Sequence, residues 1–174
     1  MNIDGFIRSS KSFSEFFEKA ATTTNKERGD AFERVVQLHL QSKPKYASEL
    51  DEVWQLHEVP KDVRKHLKLP DADEGIDLIA KHTDGTYWAI QAKYRGDPSH
   101  RLTWGDKGGL STFTSLAFTT CENIAYGLVV STTNRPLKKT HLTGNNVGFE
   151  LYGDLLELDD DGSDGWKRLK QGLK

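Results

Sequence analysis

Two strand-like runs, Ile76 to Lys81 and Thr86 to Tyr94, are separated by Thr83-Asp84-Gly85. An Asp-Gly between β-prone runs is a strong hairpin signal, because glycine takes the positive φ that a tight turn demands. A hairpin commits the chain to a sheet, and the flanking pattern supplies what covers it. Ser12 opens an S-x-x-E capping box with Glu15, and Phe13, Phe16, Phe17 and Ala20 follow at helical spacing, which predicts a helix over 13–20. Thr24 and Glu27 repeat the box and open a longer helix to Gln41, with Phe32, Val35, Val36 and Leu40 as its apolar stripe and Lys43-Pro44 as its end. Val53 to Leu56 reads as a first strand, and Lys61 to Leu69 as a short basic helix stopped by Pro70. Leu110 to Thr120 reads as a helix, Tyr126 to Thr133 as a buried strand, and Val147 to Tyr152 as a further strand. This order predicts an α/β fold, a central mixed sheet with helices on both faces.

The chain has 174 residues, the size of one domain with a full core. No apolar run approaches the roughly 18 residues of a membrane span, and Phe6-Ile7 is not the h-region of a signal peptide. A single cysteine, Cys121, excludes an intramolecular disulfide and a cysteine-cluster metal site, and the six histidines show no H-x-H or H-x-x-x-H spacing. These features point to a cytoplasmic chain with no membrane partner. A formal net charge of −2 excludes a surface coated in basic residues. If the chain acts on nucleic acid, its positive charge is local, or another domain supplies most of the affinity.

The chemistry is concentrated in Gly75-Ile76-Asp77 and in Ile90-Gln91-Ala92-Lys93. Side chains alternate faces along a strand, so Gln91 and Lys93 share one face. In an antiparallel hairpin the start of one strand lies beside the end of its partner, which brings Asp77 to the same end. A carboxylate and an amide oxygen form a hard-oxygen set suited to magnesium or manganese, with the Ala92 backbone carbonyl as a third ligand. A neighbouring lysine stabilises charge developing on a phosphate. Glu33 lies beside Leu40 on the wheel of the long helix, at the rim of the buried stripe, where a carboxylate can orient a water or hold a second ion. Against this stand plainer readings: Asp77 as a turn residue, Lys93 as an edge-strand charge, Glu33 as a solvated rim residue. Arg95, Arg101 and Lys107, with Trp104, occupy a glycine-bearing loop after the second hairpin strand and fit either a grip on a nucleic-acid backbone or solvated loop charge. Thr132, Thr133 and Asn134 follow a buried strand and fit either phosphate contacts or a plain turn.

GID followed by IQAK resembles the PD-(D/E)xK nuclease superfamily, in the Mrr-like branch where glutamine replaces the usual acidic residue before x-K. The longer string GIDLIA…YWAIQAKY, with GLVVSTTN after it, resembles the N-terminal nuclease domain of Type ISP restriction–modification enzymes and related helicase-bearing proteins. The resemblance spans residues 27–153. It implies a three-layer α/β/α restriction-endonuclease-like core and magnesium-dependent hydrolysis of double-stranded DNA, with Glu33, Asp77, Gln91 and Lys93 as catalytic residues. It also implies helicase and methyltransferase domains in the same polypeptide. On this reading residues 1–158 are the nuclease domain, with 1–26 a helical extension. Residues 159–174, acidic and then basic, lead towards a following domain. Two alternatives keep the fold: a catalytically silent DNA-binding or docking module, and a free-standing structure-specific resolvase.

Overall fold

The hairpin forms around the turn that the sequence specifies. In the computed structural model, which describes residues 1–70, 75–105, 109–136, 146–160 and 164–173, β2 (Leu78–His82) and β3 (Tyr87–Lys93) pair antiparallel with Leu78 opposite Ile90 and Lys81 opposite Tyr87. Gly85 takes φ +90°, and the Asp84 carboxylate accepts hydrogen bonds from the Thr86 N–H at 2.8 Å and its hydroxyl at 2.6 Å. β1 (Leu50–Gln55) pairs antiparallel on the outer side of β2. β4 (Ile124–Ser131) joins β3 in parallel, and β5 (Val147–Glu150) joins β4 in parallel. The sheet is therefore mixed, in the order β1-β2-β3-β4-β5.

Strand alternation sorts the apolar side chains into two cores. Leu78, Ala80, Trp88, Ile90, Leu128 and Val130 pack against Phe13, Phe16, Phe32, Val36 and Leu40, which lie on α2 (Phe13–Ala20) and α3 (Asn25–Ser42). Ile79, Tyr87, Ala89 and Val129 pack against Val63 and Leu67 of α5 (Lys61–Leu67) and Phe113 of α6 (Leu110–Ser115). Sheet between two helical layers is the expected three-layer α/β/α architecture. The Thr24–Glu27 capping box forms in full, each side chain bonding the other's backbone. At α2, Ser12 accepts the Glu15 N–H, whereas the Glu15 carboxylate accepts the Lys11 N–H instead of the Ser12 N–H.

Several elements differ from expectation. α1 (Ile3–Ser9), capped by the Asn2 side chain, buries Ile7 and is tied to α3 by an Asp4–Arg34 ion pair at 3.0 Å. After Lys43 the chain starts a second helix at once, α4 (Pro44–Ala47), with proline in its first turn. α6 gives way to a π-helical turn over Leu116–Thr120, within the threonine-rich run whose residues favour α-helix weakly. β5 ends at Glu150, and α7 (Tyr152–Leu156) follows because the Asp154 carboxylate accepts the Leu151 N–H at 2.8 Å. The C-terminal segment read as a junction folds back. Trp166 and Leu169 of α8 (Gly165–Lys170) are buried, and the Trp166 indole N–H donates to the Ser10 carbonyl at 2.8 Å. Asp159 accepts from the Phe13 and Ser14 N–H groups at 2.6 and 2.9 Å, so a residue of the acidic stretch caps α2. No helix among the described residues is long and apolar enough to cross a membrane.

Candidate active site

Asp77 immediately precedes β2 and is held on both sides. Its N–H donates to the Ile90 carbonyl at 3.0 Å, its carbonyl accepts the Leu56 N–H at 3.0 Å, and its Oδ2 accepts the Ala92 N–H at 2.8 Å. Continuing the Leu78–Ile90 register by one residue sets Asp77 opposite Gln91. The glycine before it has a local reason: Gly75 takes φ +134°, and a Cβ there would meet the Thr112 methyl of α6 at 3.4 Å.

Asp77, Gln91, Ala92, Lys93 and Arg95 line one cleft of about 500 Å³, together with Asn25, Arg28 and Gly29 of α3. Gln91 is 5% exposed, and among the described residues its Oε1 has no hydrogen-bond partner. A buried amide oxygen left unpaired is costly. A hard cation is one partner that would satisfy it, so the donor set fits magnesium. Lys93 is partly buried, and burial lowers its pKa. Repulsion from Arg95 lowers it further, and the Asp77 carboxylate opposes both. Among the described residues, three cationic side chains, Arg28, Lys93 and Arg95, line this cleft with one carboxylate, Asp77. A chain of net charge −2 thus carries a locally positive site.

The remaining candidates are placed differently. Glu33 is half-buried one helical turn beyond Gly29, and α3 lines the cleft with Asn25, Arg28 and Gly29 rather than Glu33. Among the described residues no three of His, Cys, Asp and Glu gather into a metal-holding group. A metal site here would combine the Asp77 carboxylate with neutral oxygens. Arg95 and Arg101 are exposed, and the Arg101 guanidinium donates to the Pro136 carbonyl at 3.1 Å. Lys107 lies outside the described residues. Thr132 and Thr133, which fitted either phosphate contacts or a plain turn, are fully buried. The Thr132 hydroxyl accepts the Arg95 N–H at 2.6 Å and donates to the Arg95 carbonyl at 2.7 Å, while the Thr133 and Ser131 hydroxyls lie 3.1 Å apart. Asn134 is exposed and its Oδ1 accepts the Gly153 N–H at 2.9 Å.

Sequence reasoning missed Asn25 and Arg28. The signal was present: stepping back from Phe32 along its helical face, by four residues and then three, reaches Arg28 and Asn25.

Comparison with known proteins bears on the family and the fold. A family profile described as restriction endonuclease, Mrr_cat_2, matches residues 41–147, more than half of the chain and the stretch holding Asp77, Gln91 and Lys93. Among solved structures, an ATP-dependent Type ISP restriction-modification enzyme, LlaBIII, bound to DNA, superposes with a TM-score of 0.55 at 20% identity, over 80% of this chain and 8% of that one. That likeness is one of fold, and this chain spans a small part of the larger protein's length. No curated protein matches the chain. The chain, with its GID and IQAK strands paired across one cleft, belongs to the Mrr_cat_2 restriction endonuclease family, a PD-(D/E)xK-related group of nuclease domains.

Proposed function

We propose that this domain is a magnesium-dependent endonuclease that hydrolyses double-stranded DNA as the cleavage module of an ATP-dependent restriction–modification enzyme. One observation carries the reading: the unpartnered, buried Gln91 Oε1 lines the same positive cleft as Asp77 and Lys93. Asp77, the Gln91 amide oxygen and the Ala92 backbone carbonyl would hold the ion. Magnesium or manganese, when bound, makes a water acidic enough to attack and offsets charge on the phosphate. Lys93 in its protonated form donates to a phosphate oxygen as negative charge builds in the transition state. The Ala92 N–H bond to Asp77 Oδ2 fixes the carboxylate's orientation. Glu33 is assigned the orientation of the attacking water from the α3 side. Arg95 and Arg101 contact the DNA backbone, and target choice belongs to helicase and methyltransferase domains of the same polypeptide.

A second reading, a silent DNA-binding module on the same fold, draws on the absence of a three-ligand acidic or histidine group among the described residues. Plasmid nicking separates the two. The domain is expected to nick supercoiled plasmid with magnesium or manganese and to stop with a chelator or with calcium. DNA binding without nicking in any of these metals would select the silent module, and full activity after exhaustive chelation would remove the metal mechanism.

A further inference from the structure

Among the described residues that line the cleft, Arg28 is the one cation that the mechanism above leaves without a task. Its guanidinium stands 5.9 Å from the centre of the Tyr94 ring, within the range of a cation–π contact. Its Nη1 donates to the carbonyls of Ala21 and Thr23 at 3.3 and 3.1 Å, and its Nη2 donates to the Asn25 amide oxygen. Tyr94 is itself anchored, its hydroxyl donating to the Phe17 carbonyl at 2.7 Å. Every one of these partners is neutral. Among the described residues no carboxylate forms an ion pair with Arg28. The side chain is therefore held in place while its charge stays uncompensated. A guanidinium has five N–H donors in a planar fork, and three are engaged here, which leaves two for an incoming ligand. An ordered arginine loses little rotamer freedom when it meets an anion, and its geometry matches two phosphate oxygens.

We propose that Arg28 grips a backbone phosphate of the bound DNA on the α3 wall of the cleft, while Lys93 and Arg95 approach from the β3 side. The choice of DNA as the ligand rests on the nuclease reading. The grip itself does not require catalysis. A purely structural Arg28 would only tie residues 21–25 to Tyr94, and the two roles differ in what salt does.

Each phosphate contact contributes about 0.9 to the slope of log affinity against log salt for duplex DNA. The 174-residue chain is titrated against a labelled duplex in calcium over a salt series, at a temperature where every variant is folded. Arg28→Gln is expected to bind more weakly with a slope lower by about 0.9. Arg28→Lys is expected to keep the slope and lose affinity, because a point charge replaces the fork. Asn25→Ala, which frees the guanidinium without removing its charge, is expected to do the same to a smaller degree. An unchanged slope in folded Arg28→Gln overturns the proposal, as does undetectable binding by the unaltered chain at low salt. Should Arg28→Gln fail to fold, unchanged affinity in Arg28→Lys overturns it instead. Plasmid nicking is read in parallel. A lowered slope in a chain that never nicks keeps the grip and removes the nuclease. Nicking with an unchanged slope does the reverse.

Discussion

Two polar regions stand at the same end of the sheet and treat their charges in opposite ways. Along the register Ala92 pairs with Val130 and Val130 with Glu150, so the β3 cleft and the end of β5 are two strands apart. At β5, Glu150 is almost wholly buried, yet it is surrounded by compensation. The Tyr46 hydroxyl donates to its Oε1 at 2.5 Å, Lys43 Nζ lies at 3.5 Å, and His39 Nε2 lies 3.4 Å from Oε2 without hydrogen-bond alignment. Burial alone would raise the Glu150 carboxyl, but His39, Tyr46 and Lys43 outweigh it and hold it at about 2. In the cleft the balance differs: burial and Arg95 both disfavour the charge on Lys93, Asp77 opposes them only in part, and among the described residues the lining holds three cations and one carboxylate. Buried charge that is compensated holds a fold together. Buried charge left partly uncompensated is what a site gives up in stability to hold a ligand.

The largest expected effects break this comparison by removing one charge from each region. Asp77→Asn keeps an acceptor for the Ala92 N–H but loses the charge, and Lys93→Ala removes the phosphate donor. Each is expected to reduce nicking by about 10³-fold or more, the scale of losing a group that acts only in the transition state. Their melting temperatures should stay near that of the unaltered chain or rise. Glu150→Gln is expected to do the opposite. It leaves Lys43 and His39 facing a neutral group and costs about 3–5 kcal/mol, read as a large fall in melting temperature with residual nicking in the fraction that remains folded. An unfolded Asp77→Asn, or a fully stable Glu150→Gln, would erase the distinction between the two regions.

Proton titration sharpens the same contrast. The folded Glu150 carboxyl lies at about 2 against an ordinary 4.5, so its contribution is present above about 4.5 and is lost as pH falls towards 2. That difference corresponds to about 3 kcal/mol at about 1.4 kcal/mol per tenfold change in proton affinity. Denaturant titrations between pH 5 and 2 should show the loss in the unaltered chain and a flatter profile in Glu150→Gln. Lys93 has the opposite sign. Its folded pKa is below the ordinary 10.5, so the unfolded chain holds the extra proton in that window and stability rises with pH as Lys93 becomes neutral. Nicking should fall over that same window, because the protonated amine is the form that meets the phosphate. A cleavage rate flat up to pH 10.5 would detach Lys93 from the reaction.

The sequence made one region legible and left the other dark, for reasons that lie in the residues. Asp77, Gln91 and Lys93 are close along a hairpin whose register the Asp84-Gly85 turn sets, so alternation alone brings them together. The two apolar faces of β2 and β3 were readable in the same way, and with them the layered fold. His39, Tyr46 and Glu150 come from α3, α4 and β5, more than a hundred residues apart at the extremes, and no local period links them. His39 in particular sat on the buried side of a helix whose apolar stripe was read without it. α1 was overlooked although Asn2, Ile3, Phe6 and Ile7 carry a cap and a helical repeat, because seven residues make too short a window for periodicity to stand out. The threonines after β4 fitted either phosphate contacts or a plain turn, and nothing local decided between the two. Thr132 bonds the backbone of Arg95, a residue on the neighbouring strand's exit that sequence distance hides.

Those threonines join the two regions, and the smallest expected effect tests the joint. Thr132 Oγ1 holds both backbone groups of Arg95, and the Thr132 N–H donates to the Lys93 carbonyl at 3.1 Å. One residue on, the Thr133 carbonyl accepts the Tyr152 N–H at 2.9 Å, just beyond Glu150. The end of β4 is thus clamped to the cleft on one side and to the β5–α7 turn on the other. Thr132→Val keeps the shape and removes the hydroxyl, which leaves a part-buried Arg95 N–H without its partner at a cost of about 1–3 kcal/mol. Arg95 reaches the DNA backbone rather than the reacting atoms in the proposed mechanism, so the loosened turn should raise KM for DNA while kcat stays nearly constant. Thr132→Ser retains the hydroxyl and should restore KM. A fall in kcat equal to the rise in KM would mean that the clamp positions Lys93 through its carbonyl. No change in either constant would mean that the two ends of the sheet act independently.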